Sequence, residues 1–262
     1  MGILNRTTDS FFDAGAYFDL PTFIDRAAQI VAEGADILDV GGVKAGPGPE
    51  VSEDEELERV VPAIEALRQR FEKPVSVDTW RASVAREAYK AGAVMGNDIS
   101  GFADPEYVTA ATAAGAAVVA THIRLGPRIP DPGPVYDDLV CDVTAFLLAR
   151  ARRATEAGIP ADRIVLDAGL DLGKTWQQSL VLLRHSDELA ALGHPLLLSA
   201  SNKTFLGKLL DLDINSRREA SLAACAIGIT LGCRIVRVHD VAGSVRVRDT
   251  LAAILAARRE PA

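Results

Sequence analysis

The chain has 262 residues, 48% of them hydrophobic and 24% charged, with a formal net charge of −8. That is the balance of a globular protein, and the length suits one eight-fold β/α barrel of about 250 residues. The acidic excess lacks the basic face of a nucleic-acid binder, and no apolar run approaches the ~20 residues of a membrane helix, so neither partner is expected.

The first apolar run, Gly2-Ile3-Leu4, stops at Asn5. A long polar connection over 6–20 leads to a predicted helix over 21–33, opened by Pro21, with Phe23, Ala27, Ile30 and Val31 on one face. Ile37-Leu38 ends at Asp39, ahead of Gly41-Gly42. A Gly/Pro-rich connection over 43–50 then reaches a helix capped by Ser52 and answered by Glu55, burying Leu57, Val60, Val61, Ile64 and Leu67. Val75-Ser76-Val77 ends at Asp78, before a helix over 82–91. Val94-Met95-Gly96 ends at Asn97-Asp98, before a helix over 105–114. Val118-Val119-Ala120 ends at Thr121-His122, and a Pro/Gly-rich loop over 125–134 precedes a helix over 136–157. Ile164-Val165-Leu166 ends at Asp167, before a helix over 176–192. Leu196-Leu197-Leu198 leads to Ser199, Ser201 and Lys203, with a helix over 216–231. Ile235-Val236 ends at Arg237, His239 and Asp240, with a last helix over 241–257. Gly34, Gly92, Gly115, Gly158, Gly193 and Gly232 stand between a helix and the next strand, where a left-handed turn ends the helix.

Strand then helix, eight times over with short connections, predicts an α/β fold: a single (β/α)8 TIM barrel, with 1–262 as one domain. A doubly wound open sheet is the structural alternative. In a barrel the strand ends meet at one mouth, where barrel enzymes place their chemistry, and the connections 6–20 and 43–50 lie over it. Cys141, Cys225 and Cys233 form no CxxC pair, and Met1-Gly2-Ile3-Leu4-Asn5 has neither basic head nor long apolar stretch. Reduced thiols, no signal peptide and a cytoplasmic location are expected.

Along a strand Arg237 and His239 face one side, directly before a helix start that favours anions. The alternative is a structural ion pair for Arg237 and a packed rim position for His239. Asp78, Asp98 and Asp167, with Asn97, come from different strand ends and can accept from the N–H groups of a flat, nitrogen-rich heterocycle. Lys203 can donate to the same ring. The alternative is a set of rim salt bridges or helix caps, which Asp78 before Thr79 fits well.

The segments Gly2-Ile-Leu-Asn5, Asp9-Ser-Phe11, Asp39-Val-Gly-Gly42, Ser76-Val-Asp-Thr79, Asn97-Asp-Ile99, Thr121-His122, Leu166-Asp167, Gly173-Lys-Thr175, Ser201, Lys203 and Arg237-Val-His-Asp-Val241 together resemble the dihydropteroate synthase family of pterin-binding barrels. The resemblance runs in order over nearly the whole chain. It implies a transferase of folate biosynthesis that joins 7,8-dihydropterin-6-ylmethyl diphosphate to p-aminobenzoate and releases pyrophosphate. Asp167, Lys203 and Arg237 would be catalytic. Asp78, Asn97, Asp167, Lys203 and Arg237 would bind the pterin. Asn5, Arg237 and His239 would bind the pyrophosphate, with Asn5 also on Mg²⁺. Lys203, Thr204 and Pro47 would meet an aromatic amine acceptor. A homodimer is implied through the 216–231 side, where Leu222, Cys225 and Ile229 add apolar surface. The family also carries residues ahead of its first strand that close the barrel floor. Here that strand begins at Met1, so a different floor element or a late start is expected.

The departures gather on the acceptor side. Where the family reads Glu-Ser-Thr-Arg-Pro-Gly, this chain reads Val43-Lys-Ala-Gly-Pro-Gly48, so Ala45 and Gly46 replace the threonine and arginine. Lys44 returns a cation, as a point charge rather than a fork. Asp171-Leu172 replaces Gly-Phe, Arg6-Thr7-Thr8 replaces Val-Thr-Pro, and Asn202 replaces an arginine. The leading reading is a dihydropteroate-synthase-type transferase. The rival is a diverged homologue that binds the pterin diphosphate without synthase activity or uses another acceptor. A pterin-dependent methyltransferase is the third, disfavoured because it has no use for a pyrophosphate site.

Overall fold

The structure, a computed structural model, describes residues 1–7, 19–46 and 48–257. In chain order it runs β1 (Gly2–Asn5), α1 (Leu20–Ala32), β2 (Leu38–Gly41), α2 (Glu53–Arg70), β3 (Val75–Asp78), α3 (Ala82–Lys90), β4 (Met95–Asp98) and α4 (Tyr107–Ala114). It continues with β5 (Ala117–Thr121), α5 (Leu139–Glu156), β6 (Ile164–Asp167), α6 (Trp176–Arg184), α7 (Ser186–Ala190), β7 (Leu196–Leu198), α8 (Thr204–Leu210), α9 (Arg218–Thr230), β8 (Ile235–Val236) and α10 (Val241–Ala256). Each strand pairs in parallel with the next in chain order. The ring closes between the last and first strands: Ile3 N–H donates to Val238 O (3.1 Å) and Val238 N–H to Met1 O (3.0 Å). Sequential order plus closure makes this a (β/α)8 barrel and excludes the open doubly wound sheet.

Alternation along the strands divides the core in two. Leu38, Val40, Val75, Val77, Val118, Ala120, Ile164, Leu166, Leu196 and Leu198 face outward and pack beneath the helices with Phe23, Ile64, Leu67, Leu147 and Phe205. The opposite parity points inward. Met1, Ile37, Met95, Val119, Val165, Leu197 and Ile235 form a separate apolar cluster low in the barrel. Two residues further along each strand the same inward row turns polar, which is how a short apolar strand delivers chemistry to the mouth.

Three elements differ from the sequence expectation. The predicted helix 176–192 is two helices, α6 and α7, broken at His185 (φ −99°, ψ 26°). There the buried Ser186 hydroxyl bonds the carbonyls of Leu182 (3.4 Å) and Leu183 (2.9 Å), in competition with the helical ladder. The predicted helix 136–157 starts only at Leu139, where Asp138 caps it by accepting from Cys141 N–H (3.0 Å). Helix α8 was not anticipated, because its seven residues are too few to show a period. The six glycines named above all take positive φ at helix ends, as expected.

Candidate active site

The inward rows end at Asn5, Asp39, Asp78, Asn97, Thr121, Asp167, Ser199, Ser201, Arg237 and His239. Parallel register sets neighbours level: Gly41 lies beside Asp78, Asp78 beside Asn97, and Thr121 beside Asp167. A deep recess of about 100 Å³ is lined by Asp78, Asn97, Thr121, Asp167, Ser199, Ser201, Lys203, Arg237 and His239. It shares Ala45, Asp78, Leu172, Lys203, Arg237 and His239 with a wider cavity of about 370 Å³ that adds Asn5, Thr7, Lys44, Gly46, Asp171 and Thr204. Apart from Asp98, every described residue proposed from the sequence for the pterin, diphosphate or acceptor therefore lines one of two adjoining spaces. Pro47 and the Asp9-Ser-Phe11 segment lie outside the described residues.

Arg237 is the centre of the cup. Its Nε donates to Asp39 Oδ2 and its Nη2 to Asp78 Oδ2, both at 2.6 Å. Asn97 Nδ2 donates to the same Asp39 oxygen (3.2 Å). Asp39, fully buried, thus sets the plane of the guanidinium and the orientation of the amide. Burial raises the Asp78 carboxyl above its ordinary value, and the Arg237 charge works against that rise.

Asp167 is held by the Gly169 N–H on Oδ1 (2.7 Å). Gly169 takes φ +65°, and a Cβ there would sit 1.9 Å from His122 O, so the turn needs glycine. Burial pushes Asp167 up and Lys203 down, and each is eased by the other's charge. The Lys203 ammonium donates to Leu170 O (2.7 Å). His239 is steadied by Ser201, whose hydroxyl pairs with Nδ1 (3.0 Å) and accepts the His239 main-chain N–H (3.2 Å). Burial, then the Arg237 charge, depresses the imidazole to about 3, so it is neutral at physiological pH.

Asp98 corrects the sequence reading. It has the outward parity, lines neither space, and caps the β4 turn by accepting from Ser100 N–H (2.6 Å) and Phe102 N–H (2.9 Å). The further inward carboxylate is Asp39, which lines neither space but is fully buried behind Arg237 and Asn97 and holds both. Alternation from Ile37 could have found it. His122 also leaves the cup: its Nδ1 pairs with the buried Lys174 ammonium (2.7 Å), which also donates to Leu172 O (3.0 Å). Desolvation lowers Lys174 to about 7. Among the described residues no three His, Cys, Asp or Glu side chains are grouped to hold a metal ion. Asn5 offers an amide oxygen at the end of β1, close to Gly41 and Asp78.

A cup of fixed carboxylates, an amide and three cationic or imidazole donors, at the carboxyl ends of a closed parallel barrel, is a site for a polar ring bearing an anionic tail. The chain matches the pterin binding enzyme family over residues 1–239 and belongs to it. Within that family it stands with the dihydropteroate synthases. It is 44% identical to the dihydropteroate synthase of Synechocystis, over 94% of this chain and 86% of that protein. It is equally 44% identical to the inactive dihydropteroate synthase 2 of Mycobacterium leprae, over 98% and 91% of the two chains. The crystal structure of Yersinia pestis dihydropteroate synthase in a sulfonamide drug complex superposes with a TM-score of 0.95 at 39% identity, covering 98% of this chain and 94% of that one.

Proposed function

We propose that the chain acts as one pterin-binding domain that binds 7,8-dihydropterin-6-ylmethyl diphosphate and transfers its methylene carbon to an aromatic amine. The carrying observation is the convergence of Asp78, Asn97, Asp167, Lys203, Arg237 and His239 on one recess. Asp78, Asn97 and Asp167 accept from and donate to the pterin edge, and Lys203 donates to a ring oxygen or nitrogen. The guanidinium of Arg237, held flat by two carboxylates, stacks on the ring and, with His239 and Asn5, receives the diphosphate.

In the transfer the carbon–oxygen bond to the diphosphate breaks and its electron pair leaves with pyrophosphate. The amine nitrogen forms the new carbon–nitrogen bond and releases one proton. Asp167 stabilises the positive charge that develops on the pterin, while Arg237 and His239 stabilise the departing anion. Asn5, with its hard amide oxygen, would hold a magnesium ion beside the diphosphate, and the ion would supply charge neutralisation for the leaving group. The chain works in the cytoplasm; among the described residues no helix is long and apolar enough to cross a membrane. It pairs as a homodimer over the α9–α10 side, where Ile227, Ile254 and Leu255 are exposed; Cys225 is buried and Leu222 and Ile229 are half-buried.

Pyrophosphate release from the pterin diphosphate, with and without p-aminobenzoate, tests this reading. Acceptor-dependent release is expected, and none at high protein concentration rejects it. The second reading, pterin binding without p-aminobenzoate condensation, is favoured by the acceptor wall: Ala45 and Gly46 leave it bare, and among the described residues a Cβ on Gly46 would meet only Lys44 Cε at 3.8 Å. Ala45→Thr with Gly46→Arg should raise p-aminobenzoate-dependent turnover. Unchanged turnover in that variant removes the second loop as the explanation.

A further inference from the structure

The acceptor side of the cup carries one anchored negative charge. Asp171, on the connection between β6 and α6, takes a left-handed φ of 66°. It lines the 370 Å³ cavity and two neighbours of about 160 and 390 Å³. Oδ2 accepts from Phe205 N–H (3.2 Å) in the first turn of α8, and Oδ1 lies 3.3 Å from the fully buried Ser179 hydroxyl, whose one proton is shared with Thr175 O (3.1 Å). The Asp171 N–H donates back to Ser179 Oγ (3.1 Å). The side chain cannot swing aside without giving up these bonds.

The surrounding cations spend their hydrogen bonds elsewhere, although the Asp171 charge also acts on the Lys174 and Lys203 ammoniums and raises both against the lowering by burial. Lys174 donates to His122 and Leu172 O, Lys203 to Leu170 O, and Arg128 to Pro49 O. Arg124 holds Asp131 with two bonds of 2.5 Å. Lys44, half-buried like Asp171, and the exposed Lys208 also line these cavities, and a flexible exposed ammonium is screened by solvent. A fixed charge in a partly enclosed wall outweighs mobile, hydrated ones at short range.

We propose that Asp171 is a specificity residue for the acceptor: it selects an aromatic amine with an uncharged or cationic group at its far end and disfavours one carrying a carboxylate. The assignment rests on the transferase reading above and narrows its substrate class. Repulsion of the wrong acceptor, as much as attraction of the right one, sets such a preference.

The test uses three probes, p-aminobenzoate, p-aminobenzamide and p-aminobenzamidine, on the full chain and on Asp171→Asn. Asparagine keeps an acceptor oxygen for Phe205 N–H and tolerates the left-handed backbone. Asp171→Gly, also compatible with that φ, stands in if the first variant does not fold. Pterin diphosphate affinity is measured first in each protein. Then kcat/KM for each probe is read from pyrophosphate release, and each probe is titrated calorimetrically into the protein–pterin–pyrophosphate complex. The amide and amidine should beat the benzoate by about ten-fold or more in the native chain, and the substitution should close most of that gap. A native preference for the benzoate, an unchanged gap in the variants, or no binding of any probe overturns the assignment while leaving pterin binding intact. Failure to bind the pterin diphosphate overturns the transferase reading itself, and the acceptor assignment with it.

Discussion

Removing one member of the Arg237 clamp should expose how much of the cup is held by paired charge. Asp39 is fully buried and the Arg237 side chain is 15% exposed, with their atoms 2.6 Å apart. Arg237→Met leaves Asp39 and Asp78 facing each other without a cation. That belongs at the top of the range for breaking a buried pair, about 3–5 kcal/mol. Asp39→Asn leaves the guanidinium one ionised partner, Asp78, at 2.6 Å. Its cost should be near that of one charge-assisted hydrogen bond, about 2–3 kcal/mol. The double variant removes both ends of the Asp39 interaction, so its cost should fall below the sum of the singles by about 2 kcal/mol. Urea unfolding of the four proteins closes this cycle. Costs that add within about 0.5 kcal/mol would refute the clamp, because independent residues behave that way. Asp39→Asn should also weaken pterin diphosphate binding about ten-fold, since the guanidinium loses the partner that fixes its plane.

Lys203→Ala and Asp167→Asn should each weaken pterin affinity by about 1–3 kcal/mol by calorimetry, the worth of a lost hydrogen bond to a charged group; native affinity in either contradicts the proposed pocket. His239→Ala should weaken pyrophosphate binding more than binding of the pterin ring alone, and equal losses would remove its assignment to the anion. Burial raises the Asp98 carboxyl to about 6 despite the N–H groups of Ser100 and Phe102. A raised acid pKa means the folded state holds the proton longer, so this contribution to stability is full below about pH 4 and lost as pH rises through 6. Relative to Asp98→Asn, the native chain should lose on the order of 1–3 kcal/mol of unfolding free energy between pH 4 and 7; a flat difference in urea midpoints argues against it.

The barrel was legible in the order of the chain, because each strand is a short apolar run, most helices show a local period, and six helix-to-strand junctions carry a glycine. Most of the cup was legible too: Arg237 and His239 followed from alternation, and Asp78, Asn97 and Asp167 from their place at strand ends and from the family resemblance. Asp98 misled because it adjoins Asn97 in sequence, and one residue of parity turns it toward the helices instead of the mouth. Asp39 was passed over as a ligand for the converse reason. Its importance comes from Arg237, 198 residues away, and only closure of the ring brings the two together. The same holds for Asp171, whose neighbours Ser179 and Phe205 belong to two different helices. Backbone period and side-chain parity are decided within a few residues and survive in the sequence. Which charge faces which is set by register and packing across the barrel, so only the tertiary structure could settle the clamp on Arg237 and the anchoring of Asp171.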